Sequence, residues 1–153
     1  MSPSQALAFK EQGNVLFKSL HFRQAADLYE KASNCDPDNP TYPSNLSAAL
    51  YELGDYLATL RAILRAFHIL APNDQVVGTN VQLARKLSVR LVKALLHGSR
   101  NRKIPDDVVG RPEHQSAFRV LEHIISDDPN GVELWRAWGA VAKEKPDDAF
   151  KAK

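Results

Sequence analysis

Apolar residues recur along this chain at helical rather than alternating spacing. Leu7, Phe9, Gly13, Leu16 and Phe17 mark one face of a first segment, and Phe22, Ala25, Ala26, Tyr29 and Ala32 mark that of a second. Two breakers follow at matching places, Asp36-Pro37-Asp38-Asn39 and Ala71-Pro72-Asn73-Asp74, where one helix must stop before the next begins. From Val76 to Leu96 the pattern predicts one long helix. It carries Leu87, Leu91 and Leu95 on one side and Lys86, Arg90, Lys93 and His97 on the other. The stretch 98–113, opening with Gly98-Ser99-Arg100-Asn101-Arg102-Lys103 and ending near Pro112, reads as an insertion whose length and composition favour mobility. Ala117, Leu121 and Ile124 then resume the helical spacing, Pro129 closes it, and a last helix is expected to run to Lys145.

The pattern repeats. Shifting the chain by 34 residues lays Leu16 on Leu50, Phe22 on Tyr56, Tyr29 on Ile63 and Ala32 on Ala66. With Phe9 and Leu16 at large positions, Gly13, Ala25 and Ala32 at small ones and Pro37 at the terminator, the first unit resembles the tetratricopeptide repeat. The second unit follows with Leu46, Ser47, Leu50, Gly54, Tyr56, Ile63 and Ala66, though Pro43 replaces the first aromatic and Pro72 falls one residue late. Trp135 and Gly139 take the large and small positions of a fourth unit, with Trp138 where a leucine is usual. The resemblance implies an all-α fold: a helical-repeat solenoid of three tetratricopeptide helix pairs plus a further C-terminal helix. It divides a single domain, 1–153, into repeat one at 6–39, repeat two at 40–74, repeat three at 75–130 with the insertion at 98–113, and a final helix at 131–145.

Composition narrows the function classes. At 153 residues, 44% hydrophobic and 25% charged, the chain has the make-up of a folded domain. One cysteine, Cys35, excludes an internal disulfide and a four-cysteine zinc site and suits a reducing compartment, so the expectation is a cytoplasmic or nuclear protein. No secretory leader or apolar run of membrane-spanning length is read. The net charge of +2 is unevenly placed: residues 76–104 carry 7 basic and no acidic side chains. Arg85, Lys86, Arg90 and Lys93 form the centre of this basic surface. An acidic protein segment ranks first as its partner, ahead of an anionic membrane or nucleic acid; no aromatic residue is interleaved to stack on bases.

In the repeat family, the first helix of each pair lines a concave groove that takes extended peptides. The resemblance therefore assigns to the groove Leu7, Lys10, Asn14 and Phe17 from the first unit and Thr41, Ser44, Asn45, Ala48 and Tyr51 from the second. Lys10, Asn14 and Asn45 resemble three members of the carboxylate clamp, in which lysines, asparagines and an arginine grip the C-terminus of a heat-shock chaperone. The other two donors would lie near 75–76 and 79–80, where this chain has Gln75, Val76, Thr79 and Asn80. Two missing cationic contacts at about 1.5 kcal/mol each weaken a complex on the order of 100-fold, unless Arg85 or Lys86 reaches back to replace them.

Chemistry of other kinds finds no footing. His21, His68, His97, His114 and His123 lack metal-ligand spacing, the seven glycines are dispersed, and Cys35 has no base nearby in sequence, so it reads as a packing residue. The expectation is a non-enzymatic peptide-binding module without cofactor or metal, holding a segment of a protein partner such as a heat-shock chaperone C-terminus. The alternatives are an accessory domain of a larger enzyme, or a nucleic-acid or membrane surface on the basic helix.

Overall fold

A computed structural model describes residues 2–70, 80–105, 107–108, 110–125, 129–133 and 135–136. Among these there are helices and turns and no strand. The chain forms two compact units, meeting in sequence at Ile69 and Leu70.

The first unit holds four helices: α1 (Pro3–Lys18), α2 (Phe22–Cys35), α3 (Thr41–Glu52) and α4 (Tyr56–Leu70), whose last residue falls in the second unit. Their starts are set locally. Ser2 caps α1 in a reciprocal box, its hydroxyl accepting from the Gln5 amide while the Gln5 side chain accepts from the Ser2 amide, and Pro3 follows at the first helical position. Pro43, which departs from the repeat pattern, lies in the first turn of α3, where a missing N–H removes no intrahelical bond.

Their ends follow a 34-residue echo. At the close of α1 the His21 amide donates to the Leu16 carbonyl (2.8 Å) and the Leu20 amide to Phe17 (3.0 Å); at the close of α3 Asp55 donates to Leu50 (3.1 Å) and Gly54 to Tyr51 (3.0 Å). Both are Schellman turns with a left-handed residue, Leu20 at φ 66° and Gly54 at φ 75°. Asp55 then caps α4, its carboxylate accepting from the Ala58 amide at 3.3 Å.

Small side chains let these helices approach closely. Ala25, Ala26 and Tyr29 of α2, Leu46, Ala49 and Leu50 of α3 and Ala62 of α4 form one buried cluster, with Leu16 and Phe17 of α1 packed against it. A second cluster joins Ala6, Ala32, Cys35 and Tyr42, with Phe9 beside it, so Cys35 does pack. Arg65 of α4 reaches Glu30 of α2 at 3.4 Å, a half-exposed ion pair worth little in water.

The second unit contains α5 (Val81–Arg100), a 3-10 turn (Pro112–His114) and α6 (Gln115–Ile125), with residues 129–133 and 135–136 also helical. Leu87, Leu91 and Leu95 are fully buried, as the spacing requires. Helix α5 runs past its expected end, however, and Gly98-Ser99-Arg100 are helical rather than part of an insertion. Burial of Leu95, Leu96 and Ser99 outweighs the weak local preference of Gly and Ser for a loop. The helix ends in a third Schellman turn, with Lys103 donating to Gly98 at 2.7 Å and Arg102 in the left-handed region.

Several described residues after this turn make defined contacts. Ile104 and Val108 are buried, Arg111 makes two hydrogen bonds to the Asp107 carboxylate at 3.1 and 3.2 Å, and His114 Nδ1 lies 2.7 Å from the Val108 carbonyl. The Arg111 guanidinium holds the Asp107 carboxyl below its ordinary range. The expected features at 71–79 and 137–145, including Pro72, Val76, Trp138, Gly139 and Lys145, lie outside the described residues.

Candidate functional site

Helix α1 brings Lys10 and Asn14 to neighbouring turns of one face, and both are half-buried. Lys10 makes no ion pair among the described residues. Asn14 accepts a 2.6 Å hydrogen bond at Oδ1 from the hydroxyl of Tyr29 on α2. The Tyr29 ring is 3% exposed, and burial pushes its phenol above the ordinary tyrosine range, so the hydroxyl keeps its proton and donates. It reaches Asn14 because Gly13 leaves the ring room: a Cβ there would stand 2.7 Å from Tyr29 Cε1.

Asn45 is half-buried on α3, the first helix of the second pair, and has no hydrogen-bond partner among the described residues. The two aromatic residues assigned to the groove do structural work on one side. Phe17 meets Phe22 edge-to-face at a 5.1 Å centroid separation, and Tyr51 meets Tyr56 at 5.7 Å, each pair spanning the turn between two helices. Both remain half-buried. Leu7 is 45% exposed, while Thr41 and Ala48 are half-buried. Ser44 is not presented: it is 3% exposed, packed away in the first turn of α3.

The remaining sites divide between described and undescribed residues. Gln75, Val76 and Thr79 lie outside the described residues; Asn80 is the half-buried N-cap position of α5. On α5, Arg85, Lys86 and Lys93 are exposed and Arg90 is half-buried, on the side away from the buried leucines. No group of three metal-ligating side chains occurs among the described residues. No described helix is long and apolar enough to cross a membrane.

Tyr29 is the member of this constellation that spacing alone assigns to packing. Its partner lies 15 residues back, off any helical period. The available signal is a mismatch within the repeat, since the 34-residue shift lays Tyr29 on Ile63 and Asn14 on Ala48.

Three solved structures have this architecture. The first tetratricopeptide domain of Spaghetti (RPAP3), bound to the HSP90 peptide SRMEEVD, superposes with a TM-score of 0.63 over 94% of this chain and 97% of that one, at 20% identity. The first such domain of human RPAP3 gives 0.61 at 21% identity, covering 94% and 96%. The N-terminal domain of the stress-induced protein STI-1 from C. elegans gives 0.64 at 21% identity, covering 90% and 96%. The fold is that of a tetratricopeptide-repeat domain.

Sequence similarity to curated proteins is local. RNA polymerase II-associated protein 3 of Homo sapiens is 41% identical over 49 residues, 32% of this chain and 7% of that protein. A TPR repeat-containing thioredoxin of Arabidopsis thaliana is 35% identical over 66 residues, 43% of this chain and 9% of the relative. This tetratricopeptide-type chain thus matches under a tenth of the length of either relative. No protein-family model matches it.

Proposed function

We propose that this tetratricopeptide domain is a protein-interaction module that binds the acidic C-terminal segment of a partner, with Lys10, Asn14 and Asn45 as donors. The observation that carries this reading is Lys10, a half-buried residue that makes no ion pair among the described residues and lies one turn from an asparagine on the same face. An incoming carboxylate would supply the ion pair that the described residues leave unmade at Lys10. Each charge-assisted hydrogen bond to such a carboxylate is worth about 1.5–3 kcal/mol. Support comes from the Spaghetti domain, solved with an HSP90 peptide that has acidic residues at three of its last four positions.

A chaperone C-terminus is the partner class we favour, with Phe17 and Tyr51 as flanking apolar surface. Residues 75, 76, 79 and 80 supply no cation, so affinity should fall short of a complete clamp by on the order of 100-fold. Arg85, Lys86, Arg90 and Lys93 would add a second, salt-sensitive surface for acidic segments of the same partner. We read the chain as a binding rather than a catalytic domain, working in the cytoplasm or nucleus.

Calorimetric titration with SRMEEVD and its C-terminally amidated form tests the proposal. The free acid should bind, amidation should weaken it, and Lys10→Ala should cost about tenfold or more, the loss of one charged contact. Equal affinity for both peptides, or no effect of Lys10→Ala, would remove the site.

A further inference from the structure

We infer that Tyr29 is a positioning residue of the peptide site: its hydroxyl occupies Asn14 Oδ1 and so leaves the two N–H bonds of Asn14 Nδ2 as the face offered to a ligand carboxylate. This rests on the peptide-binding reading above. It adds a residue from α2, outside the first helices that supply the other donors.

A carboxamide has two orientations that differ little in shape and are opposite in polarity. Offered nitrogen-first, Asn14 donates to a carboxylate; offered oxygen-first, it repels one. A solvated asparagine samples both. The Tyr29 hydroxyl removes the choice, because its proton needs an acceptor and the Asn14 oxygen takes it at 2.6 Å. The ring cannot easily turn elsewhere, being 3% exposed within the cluster of Ala25, Ala26, Leu46 and Leu50. Gly13 holds the same ring from the other side.

The repeat itself supplies a control for the claim that this bond serves more than packing. In the second helix pair the equivalent positions are Ala48 and Ile63, and Ile63 is fully buried. The second repeat thus carries only apolar side chains at these two positions. The polar pair is an addition confined to the pair that also carries Lys10, whose equivalent in the second is the buried Ser44. A hydrogen bond that the packing does not require, adjoining the half-buried lysine, fits a role in orienting a donor.

Three variants of the whole chain test the inference against SRMEEVD and its amidated form. Tyr29→Phe keeps the ring and removes the hydroxyl; it should weaken the free acid about three- to tenfold, the scale of one misoriented hydrogen bond, and leave the amidated peptide within about twofold. In an Asn14→Ala background, Tyr29→Phe should change neither affinity, because no carboxamide remains to orient. Asn14→Asp preserves an acceptor for Tyr29 while deleting the donor, so it should retain the melting temperature and lose the preference for the free acid; a preference retained in this variant would show that Asn14 is no donor for Tyr29 to orient and would overturn the inference even if Tyr29→Phe fails to fold. Equal loss for both peptides, or loss that persists in the Asn14→Ala background, would make Tyr29 merely structural and overturn the inference. Wild-type protein with no preference for the free acid would bring down the peptide-site reading itself, and this inference with it; an undiminished preference in Tyr29→Phe would overturn the inference alone.

Discussion

Replacing Gly13 by alanine sets two effects of known sign against each other. Gly13 lies mid-helix in α1, where alanine is favoured over glycine by about 1 kcal/mol on intrinsic propensity. A Cβ built there stands 2.7, 2.9 and 3.2 Å from Tyr29 Cε1, Cδ1 and Cζ, all closer than ordinary carbon contact. The obstructing atoms belong to a buried ring whose far end is tied to Asn14, so the neighbour cannot yield as a flexible chain tip would. Forcing extra volume into such a contact costs about 1–3 kcal/mol, and a displaced ring gives up a hydrogen bond worth about 1 kcal/mol. Packing should therefore win, with a net loss of about 1–3 kcal/mol. For a chain of this size that is a fall in melting temperature of about 3–10 °C. Urea unfolding followed by circular dichroism would measure it. In a Tyr29→Leu background, where the obstructing ring is gone, the same substitution should become neutral or stabilising, because only the propensity effect remains. A Gly13→Ala protein as stable as the parent would refute the reasoning and show that α1 and α2 can part at this contact without cost.

Two further outcomes follow from backbone and side-chain geometry. Leu20 holds the same left-handed turn position as Gly54 and is 72% exposed, so Leu20→Gly should raise stability by about 0.5–1 kcal/mol while Gly54→Ala lowers it by about 1 kcal/mol in the same assay. Burial raises the phenol pKa of Tyr29, Tyr42 and Tyr51 above 10.0, with Asp36 adding to the shift at Tyr42 and Tyr56 at Tyr51. The unfolded chain therefore releases these protons first; their stabilisation is complete below pH 10 and is lost as pH rises through the native pKa values. Ultraviolet titration of the native protein should show tyrosines ionising later than in denaturant, and coincident curves would contradict this.

Much of the first unit was legible because its signals are local. Breakers at Asp36-Pro37 and apolar spacing of helical period act within a few residues, so α1 and α2 fall where the pattern puts them. The end of α5 was not legible. Gly98 and Ser99 favour a loop by themselves, and only their burial in the folded unit keeps them helical. Nor do Leu20 and Arg102 advertise left-handed turns, since a glycine would be the usual mark.

The candidate site divides along the same line. Lys10 and Asn14 share a face by helical arithmetic, and the family resemblance adds Asn45 from the second repeat, so the sequence pointed to an all-helical repeat that offers one cation and two carboxamides from its first two repeats. What the spacing could not reveal is that Ser44 is buried, that Phe17 and Tyr51 each spend an edge on a turn partner, and that Tyr29 addresses Asn14 across two helices. Periodicity reports which way a residue leaves its own helix. Which group it then meets depends on the approach of a second helix, and here that distance is set by a glycine and a ring in close contact.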